Sequence, residues 1–400
     1  MKLRLRCGVI AATLVTMGAA ARADDEDKVD ATDAAPEPAA PPVVRPAAPA
    51  PEKLTWEPWG YLRLQYIAVQ NDPNVEFIGR DDGFELLNVR VGVRGTLAGR
   101  ATYMIAFDGA VDERDRVNVP DGKLRVGLRD AFTDVALSKT MVVRAGLFRT
   151  STDTEPLLEI HRLFVDRGLE SRGMRATEGF ETRGLTAGRS LGAALRVEPG
   201  REAGSTIGFE VAIQNGADEL ASNNNNDKPA ISAALLFRTH DGDGLVPNGG
   251  GKLHADLQIA GRFNPRTAGD LPFRQDENDL QAIVNANIGT GRFVLGAGAV
   301  FQRTTFPSVG GPDSDAFGAH AQAMVSIGTA ERPFSIGYRF GILDPSSLVT
   351  TDRVMEHTAA AVVGVPRLRM RFLLQGTHVI EQVGRELSND RVQLAAELTL

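Results

Sequence analysis

Eleven arginines fall on the polar positions of segments that alternate polar with apolar residues: Arg63, Arg90, Arg94, Arg144, Arg196, Arg238, Arg262, Arg339, Arg369, Arg371 and Arg391. A guanidinium stays charged and offers five donors in a planar fork, which suits carboxylates, phosphates and other small oxyanions. On the same parity, Asp108, Glu210, Asp256 and Glu397 are the acids that clearly join them. Residues two apart on a strand share a face. The excess therefore predicts a positive surface that favours anions. The competing expectation is that these arginines are solvated and paired with loop carboxylates.

Other chemistry is thinner. His254 and Asp256 share a face, as a metal or catalytic pair would, but no third partner lies at strand spacing. Asp241-Gly242-Asp243-Gly244 opens like a calcium loop, yet its twelfth position is Lys252 where a bidentate glutamate is needed. The asparagines at 223–226 read as a loop tip. No phosphate loop, nucleophile elbow or zinc spacing occurs, so an enzyme is not expected, and neither is a cofactor or a nucleic-acid partner.

The elements that carry the arginines have a period of two. Leu87-Asn88-Val89-Arg90-Val91-Gly92-Val93-Arg94 is apolar at odd positions, and Leu280 to Ile288 and Phe293 to Phe301 alternate likewise. About sixteen such segments can be counted, the last running 391–400. Tight turns interleave with long connections at 70–83, 109–123, 150–183, 215–229, 263–279, 302–316, 340–354 and 379–390. A soluble sandwich alternates too, but rarely needs so many strands in one domain. The fold class read from this is all-β: a sixteen-stranded antiparallel transmembrane β-barrel, with 150–183 as a long inward-folded constriction loop. A barrel of that size leaves a water-filled lumen.

The ends set compartment and domains. Residues 1–23 form a secretory signal: basic MKLRLR, an apolar stretch at 7–20 too short to span a bilayer, and Ala21-Arg22-Ala23 before the cleavage point. Cys7, the one cysteine, leaves with it. Residues 24–52 are acidic and then proline-rich, with seven prolines between Pro36 and Pro51. That composition makes a stiff, coreless spacer, read as a disordered periplasmic segment with a peptidoglycan tether as the alternative. Residues 53–400 are the barrel. The expected setting is the outer membrane of a Gram-negative bacterium, both termini periplasmic, among lipid and lipopolysaccharide, after insertion by the barrel assembly machinery.

Net charge misleads here. Without the four basic residues of the signal, 40 basic residues face 51 acids, a net charge of −11, and 24–52 alone holds −6 of it. The loop at 150–183 is mixed: Arg162, Arg167, Arg172, Arg175 and Arg183 stand among Asp153, Glu155, Glu159, Asp166, Glu170, Glu178 and Glu181.

At these residues, over roughly 59–400, the chain resembles the phosphate-selective porin O and P family. Leu87 to Gly95 looks like that family's early basic, glycine-punctuated strand. Leu128-Arg129-Asp130-Ala131-Phe132 is similar to its leucine-lysine-aspartate-alanine-tyrosine segment. Arg144-Ala145-Gly146-Leu147-Phe148-Arg149 is similar to its strand entering the constriction loop, and Asp166-Arg167-Gly168-Leu169 to a run within that loop. Asn215-Gly216 matches a later strand end. The resemblance implies a homotrimeric porin passing small anions, phosphate among them, with Arg149 at the constriction. Seven lysines in the whole chain, and Leu147 in place of a glutamine, depart from the family pattern.

Overall fold

A computed structural model describes residues 54–74, 82–113, 123–154, 164–174, 182–198, 205–216, 224, 228–239, 253–268, 275–308, 310–329, 331–382 and 387–400. The signal and the proline-rich segment lie outside these residues.

Alternation becomes strand wherever it was read. In chain order the strands are β1 (Thr55–Val69), β2 (Gly83–Leu97), β3 (Ala101–Glu113), β4 (Lys123–Ala136), β5 (Met141–Phe148), β6 (Gly173–Met174), β7 (Thr182–Arg183), β8 (Ser190–Val197) and β9 (Ser205–Asn215). They continue with β10 (Pro229–Thr239), β11 (Leu253–Ala268), β12 (Gln275–Thr290), β13 (Phe293–Thr305), β14 (Ser314–Ser326), β15 (Phe334–Asp344), β16 (Val354–Val365), β17 (Met370–Glu381) and β18 (Arg391–Thr399). All except β6 and β7 join one closed antiparallel barrel of sixteen strands, each paired with its chain neighbour and β1 sealing against β18. The seal begins at Tyr61↔Thr399, and the Leu400 amide donates to the Gly60 carbonyl at 2.9 Å. Closure leaves no edge strand, so each barrel strand has a partner on both sides.

One face of every strand is apolar and open. In β9, Ile207, Phe209, Val211 and Ile213 are exposed while Glu210, Ala212 and Gln214 between them are buried. The exposed face is the outside of the barrel.

Turn chemistry fixes the registers. Ala98 and Gly99 both have positive φ (51° and 62°), and the Arg100 amide donates to the Leu97 carbonyl, which is the hairpin turn matched to strand twist. Between β12 and β13 the turn is Gly291-Arg292, with Gly291 at φ 53° and Gly289 and Thr290 still in strand. One connection breaks the rhythm: 240–252, at the end of the short turns, joins β10 to β11 and is as long as a loop. The calcium-like Asp241–Gly244 stretch falls there, outside the described residues.

Two bulges explain where parity is hard to read. Ala106 pairs with Asp130 but Phe107 with Leu128, so Arg129 is an extra residue in β4. Val126 and Leu128 face outward before it, and Asp130 faces inward after it. In β2, Arg63 pairs with Asn88 and Leu64 with Leu86, leaving Leu87 as the extra residue. Leu87 packs toward Leu373 and Ala395.

Gly146 in β5 is held at φ 127°, and a Cβ there would collide with the Ala131 carbonyl oxygen on β4. Gly146→Ala is expected to lower barrel stability by roughly 1–3 kcal/mol, from backbone strain alone, read as a lower urea midpoint for unfolding. Gly376→Ala, in a position with nothing within 4 Å, should leave that midpoint unchanged.

Candidate functional site: the inner wall and segment 149–189

The inner face is polar, and its charges are arranged in shared groups. Glu397 on β18 accepts from two arginines: Arg63 on β1 (Nε, 2.9 Å) and Arg371 on β17 (Nε, 2.6 Å). Asp130 on β4 lies between Arg189 (2.8 Å) and Arg90 on β2 (3.8 Å). Asp153 takes both Arg149 (2.7 Å) and Arg167. Glu356 on β16 takes both Arg172 (2.6 Å) and Arg391 on β18 (3.1 Å), and Arg391 also reaches Asp166 at 3.5 Å. One further pair is closed one to one, Arg144 with Asp134 beneath the Phe132 ring at 4.0 Å, while Arg196 takes Glu210 and also reaches Glu198 at 3.9 Å. Arg266 reverses the rule, with both Glu277 and Asp279 upon it.

Much of this wall meets the segment between β5 and β8. That segment contains α1 (Leu169–Arg172), β6 and β7. Ser151 donates its amide to Glu210 on β9, and Gln258 on β11 donates to the carbonyls of Ser151 and Asp153. Gln281 on β12 donates to the Leu185 carbonyl, and the Val165 amide donates to Gln375 on β17. Arg339 on β15 donates to the carbonyls of Asp166 and Arg167, its guanidinium 4.6 Å from the Phe164 ring. An apolar cluster underlies these bonds: Leu169, Met174 and Leu185 pack with Leu236, Ile283, Val300 and Leu343 of the strands. Burying each such side chain contributes about 1.5–3 kcal/mol, more than any single exposed ion pair.

The tightest contact is between α1 and β14. Glu170 and His320 are completely buried, with Nδ1 of the imidazole 2.7 Å from Oε1 of the carboxylate. The Thr154 hydroxyl donates to the same oxygen at 2.6 Å. Glycines make room for this: a Cβ at Gly318 would collide with the Glu170 side chain, and one at Gly341 would touch Leu169. Burial resists ionisation of Glu170, but the charge and hydrogen bond of His320, with the Thr154 hydroxyl, outweigh it and hold the carboxyl below its ordinary range. A carboxyl lowered on folding stabilises above its unfolded pKa, about 4.3, and that contribution disappears as pH falls through the folded value. Amide exchange at 169–172, normalised to the intrinsic rate, should therefore accelerate on going from pH 6 to pH 3. Glu170→Gln should remove that difference.

The arginines expected on the inner face are placed as follows. Arg63, Arg90, Arg144, Arg339 and Arg371 lie on it, all but Arg371 and Arg144 nearly fully buried. Arg94 shares that face near the rim, exposed and bonded to Glu57 at 3.0 and 3.1 Å. Arg149 sits just past β5, buried. Arg369 is a correction: it ends the turn at 366–369 with φ 51°, exposed, and lines no wall, because β17 begins only at Met370. Arg167 and Arg172 are in place as described, while Arg162 and Arg175 lie outside the described residues. Of the His254–Asp256 pair, Asp256 is on β11 between Arg238 and Asn287, and the His254 side chain is not described. Among the described residues no group of three acids, histidines or cysteines is set to hold a metal.

The expected excess of positive charge is also corrected. Asp130, Asp134, Asp279 and Glu356 join the four inward acids. The β4 bulge hides the first two. Asp279 falls at the end of the expected long connection 263–279, because the strands extend past the apolar band to where both faces are polar and the alternation fades. Neutral wall residues were missed altogether: Gln375, Gln393 and Gln65 form an amide ladder across β17, β18 and β1 to Glu85.

No family model matches the chain, and no curated protein matches it. Solved structures do. OmpT, an outer membrane protein of Vibrio cholerae, aligns with 87% of this chain and 98% of its own at a TM-score of 0.54 and 11% identity. Salmonella typhi OmpF, solved in complex with daunomycin, covers 86% and 97% at 0.54 and 11%. An anion-selective porin from Comamonas acidovorans covers 87% and 100% at 0.51 and 15%. At such identities the likeness is one of fold: this chain has the barrel of outer-membrane porins.

Proposed function

We propose that the chain is a non-enzymatic outer-membrane porin allowing passive diffusion of small solutes, leaning to anions such as phosphate. One observation carries the lean: Glu397, Asp130 and Asp153 each hold two arginines. A carboxylate shared by two guanidiniums leaves one positive charge. A file of such groups attracts small oxyanions without an unpaired buried cation. The fold likeness to an anion-selective porin agrees with this reading. Segment 149–189 is read as the constriction because of its hydrogen bonds to the inner side chains of β9 through β18. The reading places the short turns and both termini in the periplasm and the protein among outer-membrane lipid and lipopolysaccharide. It also takes the barrel as inserted by the assembly machinery, as a homotrimer, with 24–52 available to peptidoglycan.

In planar bilayers under a potassium chloride gradient, the reversal potential should lie toward chloride, and added phosphate should reduce chloride current. Cation preference, or the absence of any channel, would overturn the proposal. A second reading, an unselective general porin, is favoured by the charge-balanced groups, Arg144 with Asp134, and Arg172 and Arg391 with Glu356 and Asp166. It predicts no effect of phosphate.

A further inference from the structure

Arginines in three turns of one rim are set differently from those of the wall. The turns are 291–292 between β12 and β13, 327–333 between β14 and β15, and 366–369 between β16 and β17. Arg292, Arg332, Arg367 and Arg369 are exposed, and among the described residues none of them is in an ion pair. At the opposite rim of the same strands, the exposed arginines are held. Arg303 bonds Asp315 at 2.8 Å and Arg353 bonds Asp344 at 2.9 Å. Glu331 is the one acid within the three turns.

The three turns form one continuous rim. The Ser326 amide donates to the Arg292 carbonyl, the Gly364 amide to the Pro333 carbonyl, and the Thr399 amide to the Arg369 carbonyl, all at 2.8–2.9 Å. Four strand spacings of ~4.8 Å place the four guanidiniums along about 19 Å of rim. Directly inside the rim, on the outer face, lie Phe293, Ile327, Val363 and Phe372, exposed by 40–56%. Apolar surface ending in unpaired cations is complementary to an amphiphile with an anionic head.

We propose that this rim binds the headgroup phosphates of anionic glycerophospholipids, whose acyl chains lie on Phe293, Ile327, Val363 and Phe372. The inference rests on the membrane-barrel reading and not on conductance, so a failed channel assay leaves it standing. The test is native mass spectrometry of the folded protein in detergent, given equal phosphatidylglycerol and phosphatidylethanolamine of the same acyl composition. The wild type should retain phosphatidylglycerol preferentially, by roughly fivefold for each arginine in contact. R292Q/R332Q/R367Q/R369Q should abolish the preference, whereas R303Q on the opposite rim should keep it. Heat-modifiable gel migration checks folding, and if the quadruple variant does not fold, R332Q and R367Q singly should each reduce the preference about fivefold. Equal retention of the two lipids by the wild type, or a preference surviving in the arginine variants, overturns the proposal.

Discussion

Gly318→Val should displace α1 from β14 and raise single-channel conductance while the barrel still forms. Its Cβ would occupy the space of the Glu170 side chain, with Leu343 Cδ1 3.3 Å away on the other side. Overpacking of this kind costs about 1–3 kcal/mol, and here the backbone of β14 cannot yield, since it is bonded on both sides to β13 and β15. The segment yields instead. A destabilisation of that size shifts the balance between seated and unseated forms by about 5- to 150-fold. Leu169→Asp attacks the same seat from the other partner, burying a carboxylate among Leu343, Val300 and Ile283. Gly376→Val, on the outer face of β17 with open space around it, is the control and should conduct as the wild type does. Equal conductance in all three variants and wild type would mean that 149–189 does not limit the passage.

The sixteen strands were legible because each has a wet and a greasy face, and a period of two survives any sequence change that respects the two. What parity cannot carry was lost. The Arg129 bulge inverts the register inside β4, so parity there is mixed and assigns Asp130 to neither face until the extra residue is known. The interior apolar cluster announces itself only as doublets that break the alternation, Leu235-Leu236, Ile283-Val284 and Ile342-Leu343. Those inner members face not lipid but α1 and its neighbours. Pairing is further still from sequence. Arg63 and Glu397 are separated by 334 residues, and meet only because the barrel closes β1 on β18. Counting arginines on one parity therefore gives the right face and too large a positive excess. Arg369 fails for a local reason: the left-handed residue that ends the turn takes it out of the strand its parity suggested.

Arg371→Glu should carry the largest change in ion selectivity. Arg371 shares Glu397 with Arg63, and it is the more exposed of the two, so its replacement alters the charge facing solvent without leaving a buried cation alone. The group changes from one net positive charge to one net negative charge. Two unit charges at ~5 Å from a passing ion in water amount to about 1.7 kcal/mol, roughly a fifteenfold loss of anion occupancy and an equal gain of cation occupancy at low salt. The reversal potential should move toward potassium by a corresponding amount, and the shift should shrink as salt shortens the screening length. Glu397→Gln is the opposite change and carries a different cost. It leaves two guanidiniums on a neutral amide, one of them wholly buried. Loss of a buried partner costs about 3–5 kcal/mol, so the variant should unfold at lower urea while any channel it forms prefers chloride more strongly. If Arg371→Glu leaves the reversal potential where the wild type has it, the group around Glu397 does not face the ion path, and the anion lean must reside in the groups around Asp130 and Asp153.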